Sequence, residues 1–208
     1  MRRNLLILFL VFVASACGAQ EPVLGLPCEG CEAVFEGRPA NPPSRARIAP
    51  LGSWGEPMLL RGRVLDTAGK PRAGIVVYAY HTDPGGIYPT SDASRGKASH
   101  RHGLLRGWAT SDAQGRYAFD TIRPAGYPGT ELPQHVHMHV IEPGCGTYWI
   151  DDVHFSDDPR LTATMLSRVR HGRGGDGVVT PTRVKGVWQA TRDIVLGKGI
   201  PGYTACKR

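Results

Sequence analysis

Hydrophobic and polar residues alternate over several short stretches of the chain, with the period of two that a half-buried β-strand shows. The alternation is cleanest at residues 116–122 and 135–141. Runs rich in β-forming residues predict further strands at 59–65, 75–80, 107–110, 187–190 and 193–196. Turn-forming Asp, Gly and Pro residues separate many of these runs. Short strands at this spacing predict an all-β fold, a β-sandwich.

Helical signals are few, and at most one short helix is predicted, within residues 159–170. The 208 residues include 27 Gly and 17 Pro, which break helices and so exclude a helical bundle or a long coiled coil. Residues 17–58 are rich in Gly, Pro and charge without clear periodicity. We therefore interpret them as an irregular N-terminal arm that precedes a sandwich domain at 59–208.

The first 16 residues have the pattern of a secretory signal peptide. Two arginines precede an apolar run at residues 5–13, and Ala14-Ser15-Ala16 offers a small-residue cleavage site. Cys17 follows and resembles the lipid-modified cysteine of bacterial lipoproteins, although Ala14 stands where leucine is usual. We expect an exported protein that is periplasmic, extracellular or lipid-anchored; membrane attachment through Cys17 and free secretion both stay open.

Four more cysteines, Cys28, Cys31, Cys145 and Cys206, suit disulfide bonds in an exported chain. Three pairings are possible. The C-x-x-C spacing at 28–31 is also that of a redox or metal motif, so the sequence leaves the role of this pair open.

The formal net charge of +7 is spread along the chain. There is no long Lys/Arg block and no nucleic-acid-binding motif, so nucleic acid is not an expected partner. The oligomeric state stays open.

The sharpest chemical feature is the run of alternating histidines on a predicted strand. His135 and His137 are two residues apart and therefore project from the same face, where two imidazoles can reach one metal ion. His139 continues that face. Histidines on an exposed strand surface are the other interpretation of this pattern.

Two loop tyrosines precede these histidines. Tyr88 lies in a Gly/Pro-rich loop, and Tyr127 lies in a second such loop that leads into the histidine strand. Phenolate oxygen is a hard anionic donor suited to ferric iron, and tyrosinate ligation of haem iron is a precedent. A packed ring with a hydrogen-bonded hydroxyl is the simpler interpretation of either tyrosine alone. The order Tyr, Tyr, His, x, His in one chain is more specific.

With these motifs the sequence resembles the intradiol ring-cleavage dioxygenases, the group of catechol 1,2-dioxygenase and protocatechuate 3,4-dioxygenase. The resemblance covers residues 59–140, with Tyr80 where the family usually has tryptophan. The matching segments, in chain order, are 61–66 with Gly69-Lys70-Pro71, 80–83 with Gly86-Ile87-Tyr88, 106–112, 115–119, Tyr127-Pro128 and 133–137.

This resemblance implies a non-haem Fe(III) centre. Tyr88 and His135 would be equatorial ligands, and Tyr127 and His137 axial ligands. A catechol-type diol would chelate the iron and displace Tyr127, which would help to accept a substrate proton. Reaction with O2 would give a muconate-type diacid.

One departure from the family concerns charge. Many catabolic members have arginine three residues before the first histidine, where this chain has Leu132. Losing a cation aimed at transition-state charge costs about 10²–10³ in rate. Arg101, Arg106 and Arg123 are candidates to replace it.

Two other classes of protein share parts of the pattern. A cupin-type metal protein would use His135, His137 and Glu142, but its second motif is absent. A noncatalytic transthyretin-like binding module would explain the strands but not the Tyr/His set. Two further histidine-containing segments, 100–102 and 151–158, are predicted to be exposed polar loops or a helix cap rather than parts of the site.

Overall fold

The computed structural model describes residues 22–28 and 30–204. Within them the strands are β1 (Arg45–Arg47), β2 (Pro57–Leu65), β3 (Val76–Tyr80), β4 (Arg106–Thr110), β5 (Arg116–Ile122), β6 (His135–Glu142), β7 (Gly146–Phe155), β8 (Val178–Val179), β9 (Thr182–Val184), β10 (Val187–Thr191) and β11 (Ile194–Val195). The helix α1 spans Ala163–Val169, and short 3-10 helices span Cys31–Val34, Asp92–Ser94 and Ala98–His102. The predicted all-β sandwich with at most one short helix is confirmed.

The strands form two sheets. One has the order β4-β3-β6-β7-β8, and the other has the order β1-β5-β2-β10-β9 with β11 also paired to β2. Strands β3, β4, β6 and β7 pair antiparallel, whereas β8 runs parallel to β7. Strand β6 is therefore central in its sheet, which fixes its side chains on both faces.

Alternation along β6 separates the core from the site. Val136, Met138 and Val140 are at most 1% exposed and belong to the main apolar core. Burial of each such side chain stabilises the fold by about 1.5–3 kcal/mol. The intervening histidines project from the opposite face of the sheet. The candidate site therefore lies on the outer face of the five-stranded sheet, away from the sandwich interior.

The N-terminal arm covers this outer face and is more ordered than an irregular arm. Its strand β1 pairs in parallel with β5. Val34 packs into a second apolar cluster with Tyr78 and Trp108, and Nε1 of Trp108 donates a hydrogen bond to the carbonyl oxygen of Val34 at 2.7 Å. The arm thus forms one wall over the sheet that carries the histidines.

A disulfide joins Cys28 to Cys31, and Cys145 is also disulfide-bonded. The predicted signal peptide, Cys17 and Cys206 lie outside the described residues. No helix in the described part of the chain has the length and apolar character needed to cross a membrane.

Candidate active site

The four side chains predicted as iron ligands converge at one point. Nε2 of His135 and Nε2 of His137 are 3.2 Å apart. The hydroxyl of Tyr127 is 3.2 Å from each of these nitrogens. The hydroxyl of Tyr88 is 2.8 Å from Nε2 of His137 and 2.5 Å from the hydroxyl of Tyr127. Two phenol oxygens and two imidazole nitrogens therefore share one small volume.

Two loops bring the tyrosines to the strand. The loop before Tyr88 is turned by Asp83, whose Oδ1 accepts hydrogen bonds from the backbone N–H groups of residues 85 and 87. Gly86 has a φ of 78°, and a Cβ at this position would overlap the carbonyl oxygen of Gly126. Only glycine permits this close approach, which holds the loop of Tyr88 against the loop of Tyr127.

Outer hydrogen bonds orient both imidazoles. Nδ1 of His135 donates to the carbonyl oxygen of Pro133 at 2.8 Å, and Nδ1 of His137 donates to Oδ1 of Asp152 at 3.1 Å. Each bond places the proton on Nδ1 and leaves the lone pair of Nε2 directed toward the tyrosines. Such partners fix the tautomer and ring orientation of histidine ligands in metal sites.

A β-bulge brings Asp152 to the site. The register between β6 and β7 shifts between Val136 and Met138, which pair with Val153 and Ile150. The extra residue on β7 lies opposite His137, so the carboxylate of Asp152 reaches its ring. Bulges re-aim side chains in this way beside active sites.

A layer of stacked rings supports His137 from the side. The ring of Tyr80 stacks on His137 with centroids 4.5 Å apart and on His102 with centroids 3.7 Å apart. Nδ1 of His102 is 2.8 Å from the hydroxyl of Tyr78. The position where the family usually has tryptophan thus keeps an aromatic ring against a ligand histidine.

Burial sets the protonation of the site. It lowers the pKa of His135 to about 4, which keeps a neutral imidazole available as a ligand. It also raises the pKa of Tyr88 and Tyr127 above the usual range of a phenol. Burial opposes ionisation of Asp152, but the attraction and hydrogen bond of His137 outweigh it and lower the pKa of Asp152 to about 2.

The donor set fits a ferric ion. Ligands at about 2.0–2.2 Å from one first-row metal ion lie about 2.8–3.6 Å from their neighbours. Of the six donor pairs, four have separations in this range, one of 2.8 Å and three of 3.2 Å, and the phenol–phenol separation of 2.5 Å is slightly shorter. Two buried phenols side by side are unfavourable as anions unless a cation sits between them. Hard phenolate oxygens together with imidazole nitrogens are donors that suit Fe(III) as this cation.

A pocket of about 680 Å³ opens onto these donors. Leu132 lines it, as do Arg101 and Arg168. The other two candidates to replace the arginine that is absent at Leu132 do not line this pocket. Arg106 packs on Trp108, and Arg123 binds the carboxylate of Asp157.

Two sequence-based interpretations were wrong. His102 is buried and lines the pocket instead of lying in an exposed loop, because the arm and Tyr80 cover it. Asp152 and His154 lie on β7 and also line the pocket, rather than forming a loop or helix cap. Carboxylates are rare in strands, which hid β7 from the sequence pattern.

The cupin alternative fails at its third ligand. Glu142 is completely buried on the core side of β6 and accepts hydrogen bonds from the hydroxyls of Tyr148 and Tyr203. It therefore cannot reach the two histidines that a cupin would pair with it.

Comparison with known proteins gives the same assignment. A family model described as Dioxygenase matches residues 43–173. The chain is 30% identical over 112 residues to the protocatechuate 3,4-dioxygenase beta chain of Burkholderia cepacia, covering 51% of this chain and 48% of that one. It is 30% identical over 161 residues to 6-chlorohydroxyquinol 1,2-dioxygenase of Cupriavidus pinatubonensis, covering 70% of this chain and 55% of that one.

Solved structures share the fold. The 3-chlorocatechol 1,2-dioxygenase of Rhodococcus opacus 1CP superimposes with a TM-score of 0.61 at 19% identity, over 88% of this chain and 74% of that one. The dioxygenase domain of a dioxygenase carbohydrate-binding protein fusion from Streptomyces sp. SirexAA-E gives 0.59 at 24% identity, over 78% of this chain and 94% of that one.

The sandwich, the Tyr/His cluster and the family match together define a ring-cleaving dioxygenase fold. The chain belongs to the intradiol dioxygenase family. It spans about half the length of curated relatives that it matches, 48% of one and 52% of another.

Proposed function

We propose that this protein is an Fe(III)-dependent intradiol dioxygenase that adds O2 to a catechol-type diol and yields a muconate-type diacid. The observation that carries the proposal is the convergence of two phenol oxygens and two imidazole nitrogens at the base of one pocket. A noncatalytic binding module has no use for such a cluster.

Tyr88, Tyr127, His135 and His137 would hold the metal. Ferric iron held there would act as a Lewis acid toward a diol that chelates it through both oxygens, and would draw electron density from the ring so that a ring carbon becomes reactive toward O2. All other roles fall to side chains of the chain itself.

Tyr127 is the catalytic residue among the four. Its ring lies in the loop at the pocket, and its hydroxyl is hydrogen-bonded to Tyr88. As a phenolate it would accept the proton of an incoming diol hydroxyl and swing away as the diol takes its place. His135 and His137 stay fixed, because the carbonyl of Pro133 and the carboxylate of Asp152 hold their Nδ1 atoms.

The wall of the pocket favours a diol with an anionic substituent. Arg168 adds positive charge at the wall, and the carboxylate of Asp152 is already bound to His137. A carboxylated catechol would place its acid group toward Arg168 and its diol toward the Tyr/His cluster. Leu132 adds an apolar surface against the ring.

We also propose export of the protein, with residues 1–16 as a cleaved signal peptide; lipid attachment through Cys17 and free secretion both stay open for the mature chain. The disulfide between Cys28 and Cys31 supports it, because disulfides persist in oxidising compartments. Mass spectrometry of the mature N-terminus tests this: a chain without residues 1–16 is expected, a diacylglyceryl group on Cys17 would identify the anchored form, and an N-terminus that retains residues 1–16 would contradict export.

Oxygen consumption, product mass and the NMR spectrum of the product, which distinguishes a diacid from an isomeric semialdehyde, test the proposed activity. Iron-loaded protein is expected to consume one O2 per catechol and to form a diacid heavier than the substrate by two oxygen atoms. The Tyr127→Phe variant should be slower. Folded, iron-loaded protein that opens no catechol ring, or one that gives a ring-opened semialdehyde, would refute intradiol cleavage.

A further inference from the structure

A second group of metal-binding side chains borders the pocket and takes no part in the proposed reaction. Cys28 and Cys31 are joined as a disulfide. Sγ of Cys31 is 3.8 Å from Nδ1 of His139. One donor atom from each of the three residues lies within 4.8 Å of the others. His139 and Cys31 are both 3% exposed, so this cluster is part of the interior rather than a surface coincidence.

The segment that carries the cysteines is fixed independently of its sulfur atoms. Nε1 of Trp149 donates a hydrogen bond to the carbonyl oxygen of Pro27 at 3.1 Å, just before the pair. Just after it, Nε1 of Trp108 donates to the carbonyl oxygen of Val34. Breaking the disulfide therefore leaves both cysteines beside His139.

Gly30, which precedes Cys31, lies against the pocket wall. Gly30 has a φ of 77°, and a Cβ there would overlap Nε2 of His102. Pro27, Gly30 and His139 all line the pocket. A fourth coordination position at this cluster is therefore accessible from the pocket.

The three donors match the preference of a softer metal ion than ferric iron. Two thiolates with one imidazole, at C-x-x-C spacing, form a common zinc-binding set. Bonds of about 2.3 Å to sulfur and 2.0 Å to nitrogen place the two donors of a tetrahedral site about 3.5 Å apart. The separation of 3.8 Å between Cys31 and His139 is close to this value.

We propose that Cys28, Cys31 and His139 form a second metal site in the reduced protein, which binds a divalent ion of the zinc type, and that the disulfide is its closed form. A small dithiol supplies the two electrons. Its sulfurs become a disulfide while the Cys28–Cys31 bond breaks and gives two thiols. Metal binding then releases the two thiol protons.

This cysteine–histidine site shares no donor with the Tyr/His cluster, so it does not depend on the proposed dioxygenase activity. The two sites are neighbours, because His139 follows His137 on the same face of β6 and the ring of Tyr80 stacks with both. Since the donors differ, metal binding by Cys28, Cys31 and His139 can be measured with the iron position already filled.

The test uses full-length, iron-loaded protein, either oxidised or reduced with dithiothreitol that is then removed by anaerobic gel filtration. Both samples are titrated with Co²⁺, which gives intense thiolate-to-metal absorption when cysteines bind it. One equivalent of Co²⁺ is expected to produce this absorption in reduced protein, and none in oxidised protein. Added Zn²⁺ should displace the cobalt.

Three variants make the result specific. Cys31→Ser should abolish the absorption, and His139→Gln should weaken Co²⁺ binding at least tenfold. Cys145→Ser is the matched control, because it removes another disulfide-bonded cysteine and should leave cobalt binding unchanged. Iron content and circular dichroism report whether each variant is folded.

Reduced, folded wild-type protein without thiolate-to-cobalt absorption would overturn the proposal. So would a Cys31→Ser variant that keeps the absorption, or a folded His139→Gln variant that binds cobalt as tightly as the wild type. None of these three results would affect the iron assignment, because iron is measured separately in the same samples.

Discussion

The carboxylate of Asp152 accepts a hydrogen bond from Nδ1 of His137 at 3.1 Å and so turns Nε2 of that ring toward Tyr88 and Tyr127. The contact exists because β7 carries a bulge opposite His137. Orientation of the second histidine thus depends on a strand irregularity and not on β6 alone.

Replacing Asp152 tests this dependence. Asp152→Asn should lower the affinity for iron about 10–100-fold, because the amide holds the His137 ring less firmly than the carboxylate does. Retention of iron against a chelator measures the effect. Asp92→Asn, at an exposed carboxylate that pairs with Arg95, is the control. Equal iron retention in both variants would contradict the role of Asp152.

The missing cation at Leu132 gives a second prediction. Leu132→Arg places a guanidinium at the pocket, where it can stabilise charge that develops on the substrate. We expect kcat/KM for unsubstituted catechol to rise up to about 10²-fold. Leu51→Arg, at an exposed leucine outside the pocket, should change nothing. An iron-loaded Leu132→Arg protein with no gain would show that this cation does not limit the rate.

A third prediction concerns the charge of the substrate. Arg168→Ala should raise KM for 3,4-dihydroxybenzoate about fivefold, which corresponds to roughly 1 kcal/mol for an exposed ion pair, and should hardly change KM for catechol. Arg170→Ala is the matched control, because Arg170 pairs with Asp176 instead of lining the pocket. Equal effects of Arg168→Ala on both substrates would argue against charge recognition.

The docking of the arm gives a pH-dependent prediction. Both carboxylate oxygens of Asp120 on β5 accept hydrogen bonds from Arg45 on β1, and these bonds lower the pKa of Asp120. The contribution of Asp120 to the free energy of unfolding is therefore complete above about pH 3.9, the pKa of an aspartate in the unfolded chain. It is lost as the pH falls through the lowered pKa of the folded state.

Asp120→Asn should accordingly lower the free energy of unfolding at neutral pH by up to about 1 kcal/mol. The difference from wild type should shrink toward zero below the pKa of the folded state. Urea unfolding over this pH range measures it. A difference that stays constant with pH would mean that the ion pair is not its source.

Much of the sheet could be predicted from the sequence, and β6 shows why. Its apolar residues face the core and its histidines face outward, so a strict period of two remains visible in the sequence. The likeness to a known family, and not periodicity, singled out Tyr88 and Tyr127, since loop residues carry no such pattern.

The contributions of Asp152 and His102 could not be predicted in this way. The first depends on a bulge, and the second on burial under the arm and the ring of Tyr80. Strand β1 was hidden for a related reason, because its sequence Arg-Ala-Arg buries a single alanine and gains its place only by pairing with β5.

The most direct test of the central claim is the iron content and visible spectrum of the purified protein, measured anaerobically before and after addition of catechol. We predict one iron per chain and a broad tyrosinate-to-Fe(III) band that shifts with catechol and is altered in Tyr88→Phe and in Tyr127→Phe. Folded protein that takes up no iron, or iron-loaded tyrosine variants whose band equals that of the wild type, would contradict the assignment.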